Sequence, residues 1–278
     1  MLQQTRVNAV LDHYRRFLER FPDVRHLARA REQSVLAAWS GLGYYRRARH
    51  MHAAAKVVAF ERAGKFPETV EELRELPGIG RYTAAAIASI AFGGRAAVVD
   101  GNVERVLQRM TGNSELEGRE VWHLADGLLS PNRPGDFNQA MMELGATVCS
   151  PRDPRCLECP VMTLCKTRGA HPRRQKEVRK IVPVGYALVR ANGSVWMVQR
   201  SRDASLMAGM WELPQAGGTC AKEPLARMKH SILDTDFQVA VHAGVETGEN
   251  GRWVRNSALK KMALTGLARK ILRHFELL

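Results

Sequence analysis

The stretch 76-LPGIGRYTAAAI-87 sets one proline and two glycines within four residues and then runs into small apolar residues at helical spacing. Pro77 with Gly78 and Gly80 makes a tight turn into a helix. Glycines there let the backbone come close to a phosphate, and the helix N-terminus behind them offers free N–H groups to it. Such a contact positions a polyanion without reading its sequence. An ordinary turn between two helices has the same five residues, so the surrounding chain has to decide.

Outward from this turn, residues 3 to 166 read as helical almost throughout. Apolar residues recur at steps of three and four in YYRRARHMHAAAKVVAF and in YTAAAIASIAF, with little strand-like alternation. Breaks fall at FP (21 to 22), KFPETV (65 to 70), LPGIG (76 to 80) and FGGR (92 to 95). From Thr167 to Pro183 the text becomes TRGAHPRRQKEVRKIVP, in which Arg173, Arg174, Lys176, Arg179 and Lys180 are the mark of a solvated linker. Past Pro183 the period changes to two: VGYALVRANGSVWMVQRS alternates around Asn192-Gly193, a hairpin signal. A helix is expected near 223 to 231, a strand over FQVAVHAGV (237 to 245) and a helical close in ALTGLARKILRHF. The chain thus divides into a helical unit, 1–168, a basic linker, 169–182, and a small α+β unit, 183–278; the fold class is mainly α.

Of the 278 residues 45% are hydrophobic and 25% charged, the balance of a packed globular protein rather than a disordered one. Lys and Arg total 42 against 28 Asp and Glu, a net charge of +14 that suits a polyanionic partner, nucleic acid ahead of an anionic membrane. No run approaches the roughly 18 to 20 apolar residues of a membrane span, and MLQQTRVNAVLDHYRRF lacks the apolar centre of a signal peptide. The expectation is a cytoplasmic, nucleoid-associated monomer that is not secreted. Four of the five cysteines crowd into residues 149 to 165, which in a reducing compartment favours metal over disulfides.

Two segments downstream of the turn carry chemistry. Cys149, Cys156, Cys159 and Cys165 follow GDFNQAMMELGATV with the spacing C-x6-C-x2-C-x5-C, and four thiolates so placed can close around one centre. Zinc and an iron–sulfur cluster both accept four sulfurs, so spacing alone leaves both open. In AAVVDGNVERVLQRM, Asp100 stands after a short apolar run and before a helix. That is where an N-cap sits, and it is also where a carboxylate can face a ligand.

In order and spacing these elements resemble the endonuclease III-type, helix-hairpin-helix DNA glycosylases, and within them the MutY-type, adenine-specific branch; the likeness runs nearly continuously over residues 1 to 168. The resemblance implies a [4Fe–4S] cluster on the four cysteines, structural in role, and a basic loop from Pro151 to Arg155 facing DNA. It implies that Gly78, Ile79 and Gly80 grip the backbone. It implies that Asp100 is the catalytic carboxylate that stabilises an oxocarbenium-like sugar, with Asn102 holding the arrangement. Bifunctional members carry a Schiff-base lysine where this chain has Tyr82, so a monofunctional enzyme that leaves an abasic site is expected. By the same resemblance Gln3, Gln4, Thr5, Leu42 and Tyr44 approach or wedge double-stranded DNA around a flipped adenine, which is mispaired with 8-oxoguanine or guanine. Leu42 and Tyr44 read equally well as core.

The sequence also departs from that pattern. The family's general-acid glutamate lies just upstream of a stretch like MLQQT, so this chain is expected to be truncated or to have its start assigned at an internal methionine. A placed acid of this kind is worth about 10² to 10⁴ in rate, and the missing helix would expose apolar surface. SLMAGMWELPQAGG and LTGLARKIL resemble the branch's lesion-reading domain, which is similar to Nudix hydrolases. No glutamate-rich helix follows Gly217-Gly218, so a reader and not a hydrolase is expected. In MKHSILDTDFQV, Ile232, Leu233 and Asp234 replace the family's aromatic, hydroxyl and histidine probe, while His230 and Ser231 precede them. Cys220 reads as a free thiol. Two other activities fit parts of the pattern: a bifunctional glycosylase and lyase, and a catalytically silent mismatch- or lesion-binding protein.

Overall fold

The computed structural model describes residues 1, 7–169, 179–216, 223–232, 234–244 and 251–278. Among the described residues nine helices precede the sheets: α1 (Val7–Arg20), α2 (Val24–Arg29), α3 (Glu32–Trp39), α4 (Tyr45–Lys56), α5 (Val70–Arg74), α6 (Arg81–Phe92), α7 (Gly101–Thr111), α8 (Gly118–Leu128) and α9 (Pro134–Glu143). Wider π turns prolong α4 through Val57–Glu61 and α9 through Leu144–Val148. Then come β1 (Lys180–Leu188), β2 (Arg190–Ala191), β3 (Ser194–Gln199), β4 (Trp211–Glu212), β5 (Ala226–Ile232), β6 (Thr235–Ala243), β7 (Gly251–Arg255), α10 (Asn256–Leu259) and α11 (Gly266–His274). No helix among the described residues is long and apolar enough to cross a membrane.

The chain folds as two compact units, one of Met1–Gly64 with Glu177–Leu278 and one of Lys65–Lys176. In the first, the early helices share a core with the C-terminal region although some 200 residues separate them in sequence. Val35, Leu36, Trp39, Leu42, Tyr45 and Ala48 bury themselves together with Met210 and Ala263. Hydrogen bonds join the same parts: Ser40 Oγ donates to Leu264 O at 3.0 Å and Gln33 Nε2 to Gly209 O at 3.0 Å. On α1, Leu11, Tyr14 and Leu18 remain exposed.

The sheets of this unit follow the alternation in the sequence. β1 runs parallel to β6, which pairs antiparallel with β5, while β3 is flanked by β2, β4 and β7. Asn192 and Gly193 both take positive φ, 47° and 68°, and close the β2–β3 hairpin as a type I′ turn does. The apolar stripe of α11, Leu267, Ala268, Ile271 and Leu272, covers the sheet core of Val195, Met197, Leu213, Val239 and Val241. One expectation is corrected: no helix forms near 223 to 231. Residues 226 to 232 are strand β5, whose burial alternates residue by residue, because Ala226, Met228, His230 and Ile232 share one face and pair along β6. Most of the basic linker, Gly217-Gly218, Cys220 and Leu233 lie outside the described residues.

In the second unit α7, α8 and the extended segment before α7 enclose Ala97, Val99, Val103, Leu107, Leu116, Val121, Ala125 and Leu129. This core carries the candidate site.

Candidate active site and cysteine loop

The turn at 76 to 80 has the geometry its residues dictate. Ile79 N donates to Leu76 O at 3.1 Å, with Pro77 and Gly78 at the two central positions and Gly78 at φ 75°, a type II turn that needs glycine there. Gly80 is the N-cap of α6 and makes no side-chain cap, and open space surrounds the place where its Cβ would be. The first N–H groups of α6 therefore face outward beside a backbone that an anion can approach closely.

Asp100 caps α7. Its Oδ1 accepts from Asn102 N at 2.9 Å and Val103 N at 2.8 Å, and its Oδ2 accepts from Asn102 Nδ2 at 3.1 Å. Capping occupies one oxygen, and the other is oriented by the Asn102 amide. The apolar run before it is pinned by side chains that sequence reading did not single out. Buried Asn138 of α9 accepts from Val98 N at 3.1 Å and donates to Ala96 O at 2.8 Å and Ser89 Oγ at 2.9 Å; Asp126 accepts from Ala97 N at 3.3 Å. Such a polar residue on an otherwise apolar helix face was the available signal for Asn138.

Arg105, one turn along α7, extends this order toward the cysteines. Its Nη2 donates to Asn102 Oδ1 at 2.9 Å and Gly145 O at 2.7 Å, and its Nε to Cys149 O at 2.9 Å. Gly145 makes the approach possible: a Cβ there would lie 2.7 Å from Asn102 Cβ and 2.8 Å from Asn102 O. Tyr82, in the first turn of α6, donates to Met142 Sδ at 3.5 Å. Burial, and then the Asp100 charge, push its phenol above the ordinary value, so it is a neutral group beside the carboxylate. Glu104, on the first turn of α7, is engaged with Gln108 Nε2 at 3.4 Å.

Cys149, Cys156, Cys159 and Cys165 line one cavity, closed on its other sides by residues that include Val148, Pro154 and Met162. Arg109 ties the loop to α7: its Nη1 donates to Cys149 Sγ at 3.3 Å and Ser150 O at 2.8 Å, and the Cys165 thiol donates to Arg109 O at 3.3 Å. Burial and then the proximity of Cys149, Cys165 and Cys159 raise the Cys156 thiol. Among the described residues no three His, Cys, Asp or Glu side chains converge as a single metal ion requires. The four thiols thus gather around one cavity, with the Arg109 guanidinium against Cys149.

The remaining candidates fall in the other unit or outside the described residues. Gln3, Gln4 and Thr5 are not among the described residues. Leu42 is buried in the helical core, whereas Tyr44 is exposed, takes a left-handed φ of 48° and stacks under Arg47 at 5.1 Å. His230 lies half-buried in β5, its imidazole made harder to protonate by burial and then by Lys270. Ser231 Oγ donates to Asp236 Oδ1 at 2.6 Å, and Asp234, at the tip of the β5–β6 hairpin, accepts from Thr235 Oγ1 at 3.0 Å.

Other proteins are similar to this chain. Residues 1–126 match the HhH-GPD superfamily of base excision DNA repair proteins. The chain is similar to the adenine DNA glycosylase of Homo sapiens, at 50% identity over 60% of this chain and 32% of the relative, and to that of Arabidopsis thaliana, at 37% over 77% of this chain and 41% of the relative. It thus spans about a third to two fifths of the length of these two relatives. Among solved structures, a thermostable thymine-DNA glycosylase superposes with a TM-score of 0.57 at 29% identity, covering 61% of this chain and 81% of that one.

Proposed function

We infer, for a chain whose residues 1–126 belong to the HhH-GPD superfamily of base excision DNA repair proteins, that it is an adenine DNA glycosylase that hydrolyses the N-glycosidic bond of adenine opposite 8-oxoguanine or guanine in duplex DNA. The observation that carries this is the Asp100 carboxylate, capped on one oxygen and oriented by Asn102 on the other. Placed against the sugar of an extruded nucleotide, its negative charge stabilises the positive charge that grows as the base leaves. The turn at Gly78 to Gly80 holds the strand by a phosphate, and residues 1–168 together supply the catalytic part. Tyr82 has no amine to form a Schiff base, so the product is an abasic site in an unbroken strand.

The four cysteines would hold a [4Fe–4S] cluster, whose contribution when bound is to close the 149–165 loop. Arg105 and Arg109 then fix the loop carbonyls against α7. The β5–β6 hairpin, with His230, Ser231 and Asp234, is the proposed reader of the opposite base, a role for residues 183–278. Asp234 offers no imidazole donor at that tip, which weakens preference for 8-oxoguanine over guanine, and its negative charge repels phosphate.

The test is incubation with duplexes that carry adenine opposite 8-oxoguanine, guanine, adenine or cytosine, followed by analysis of free base and of strand integrity. Free adenine from the first two, with strand cleavage only after hot alkali, is expected. Breaks without alkali would replace this reading with a glycosylase and lyase, and tight binding without release would replace it with a silent mismatch binder.

A further inference from the structure

A second cationic site lies in the unit that does not contain Asp100. A cleft of about 600 Å³ opens between α1, the end of α3 and the C-terminal helices, and its walls carry Arg16, Arg20, Lys260, Arg269 and Arg273 against one carboxylate, Glu19. Among the described residues none of these five cations forms an ion pair. Arg16 and Arg20 stand one turn apart on α1, and Arg269 and Arg273 one turn apart on α11, so each helix offers two guanidinium groups separated by about 6 Å of helix rise.

The floor of the cleft is built, not merely charged. Arg269 Nη2 donates to Ser40 Oγ at 2.8 Å, Ser40 Oγ donates to Leu264 O at 3.0 Å, and the His13 ring nitrogen Nε2 meets Ser40 O at 3.2 Å. These bonds fix one side of the Arg269 guanidinium. Its Nε is buried and has no hydrogen-bond partner among the described residues. Among the described residues no carboxylate pairs with this partly buried charge, and an anion bound in the cleft would offset it. Burial, and the nearby Arg273, also push the Arg269 guanidinium below its ordinary value, with Tyr45 opposing. Bound negative charge would reverse that effect.

We propose that this cleft is a phosphate-binding site, with Arg269 as the buried anchor and Arg16, Arg20 and Arg273 as outer contacts for successive phosphate groups. Guanidinium groups pair with phosphate and carboxylate alike, but four of them in two rows suit a ligand with successive phosphate groups rather than a single carboxylate. The source is either the backbone of a nucleic-acid strand or a free polyphosphate. The cleft does not depend on the adenine chemistry, since none of its residues belongs to the unit that carries Asp100.

The experiment compares the full chain with the exposed-site variant R16Q/R20Q/R273Q and a charge-keeping control, R16K/R20K/R273K, all checked for native circular dichroism. Duplex affinity is measured against salt, and inorganic pyrophosphate binding is followed by phosphorus NMR line broadening. If a strand is the ligand, the slope of log affinity against log salt becomes shallower by about 2 to 3 in the glutamine variant, about 0.9 for each lost phosphate contact, and stays steep in the lysine control. If a free polyphosphate is the ligand, pyrophosphate binding weakens at least tenfold in the glutamine variant while the duplex slope holds. A folded glutamine variant that keeps both the slope and the pyrophosphate affinity overturns the site, whether or not the chain releases adenine.

Discussion

Replacing Asp100 with asparagine separates the two tasks of its side chain. The amide oxygen can still accept from Asn102 N and Val103 N, now at 2.9 and 2.8 Å, and asparagine caps helices as well as aspartate. The structural loss is confined to the charge at the N-terminus of α7, worth about 0.3 to 1 kcal/mol, and to the Asn102 amide, which would face another amide. Stability should therefore fall by about 1 kcal/mol or less in denaturant unfolding. Base release should fall much further, by about 10² to 10³-fold, as when a group aimed at developing charge is removed. Single-turnover release from an adenine and 8-oxoguanine duplex measures the second effect on the same preparations. Asp100→Ser, which keeps a short cap but no charge, should lose a similar amount. Release by the asparagine variant at the wild-type rate would refute the assignment. A loss of release that merely tracks a large loss of stability would show that capping is all the residue does.

Asn138→Leu removes the partners of Val98 N and Ala96 O, two buried backbone groups at about 1 to 3 kcal/mol each, and should cost about 2 to 5 kcal/mol in urea unfolding; a change below 0.5 kcal/mol, an order-of-magnitude floor, would mean that water replaces the amide. Gly145→Ala drives a methyl into Asn102 and should cost about 1 to 3 kcal/mol with a larger proportional loss of base release, while unaltered release would detach Asn102 from the active arrangement. Tyr186, on β1, has its phenol raised to about 12 by burial and then by Glu212, with Arg200 and Gln215 opposing. Its folded value exceeds its unfolded one, so the stabilisation is complete below pH 10 and is lost as pH rises toward 12, by up to about 2 to 3 kcal/mol. The difference between wild-type and Tyr186→Phe unfolding curves should show that loss, and parallel pH profiles would contradict it.

Features set by near neighbours in sequence were legible before any coordinates. The Pro77-Gly78 turn, the Asp100 cap and the Asn192-Gly193 hairpin each close through a bond or turn spanning two or three residues, so residue type and spacing suffice. Features set by distant neighbours were not. ARMKHSI has the alternation of a strand, but the charged residues at every second position and the helix-forming residues before it obscure the period, and pairing with β6 decides the outcome. Asn138 acts on residues about 40 positions away, and Gly145 matters only because α7 lies against it. Leu42 and Tyr44, two residues apart, part company for the same reason: Leu42 turns into a core completed by Met210 and Ala263, which no local pattern announces.

The cysteine loop and the candidate carboxylate are 49 residues apart between Asp100 and Cys149, yet they share a single row of hydrogen bonds. The Asn102 amide donates to Asp100 Oδ2 while its own oxygen accepts from Arg105, which orients it, and Arg105 is held in turn by the carbonyls of Gly145 and Cys149. Each carbonyl belongs to the backbone that leads into the loop. A guanidinium offers five donors in a rigid plane, so a shift of the Cys149 carbonyl turns the whole fork and moves the amide at its other end. Lysine in place of Arg105 would keep the charge but not the plane. The backbone at Cys149 is thus placed to act on the electrostatics at Asp100 through Arg105 and Asn102, so whatever orders the 149–165 loop also orders the carboxylate.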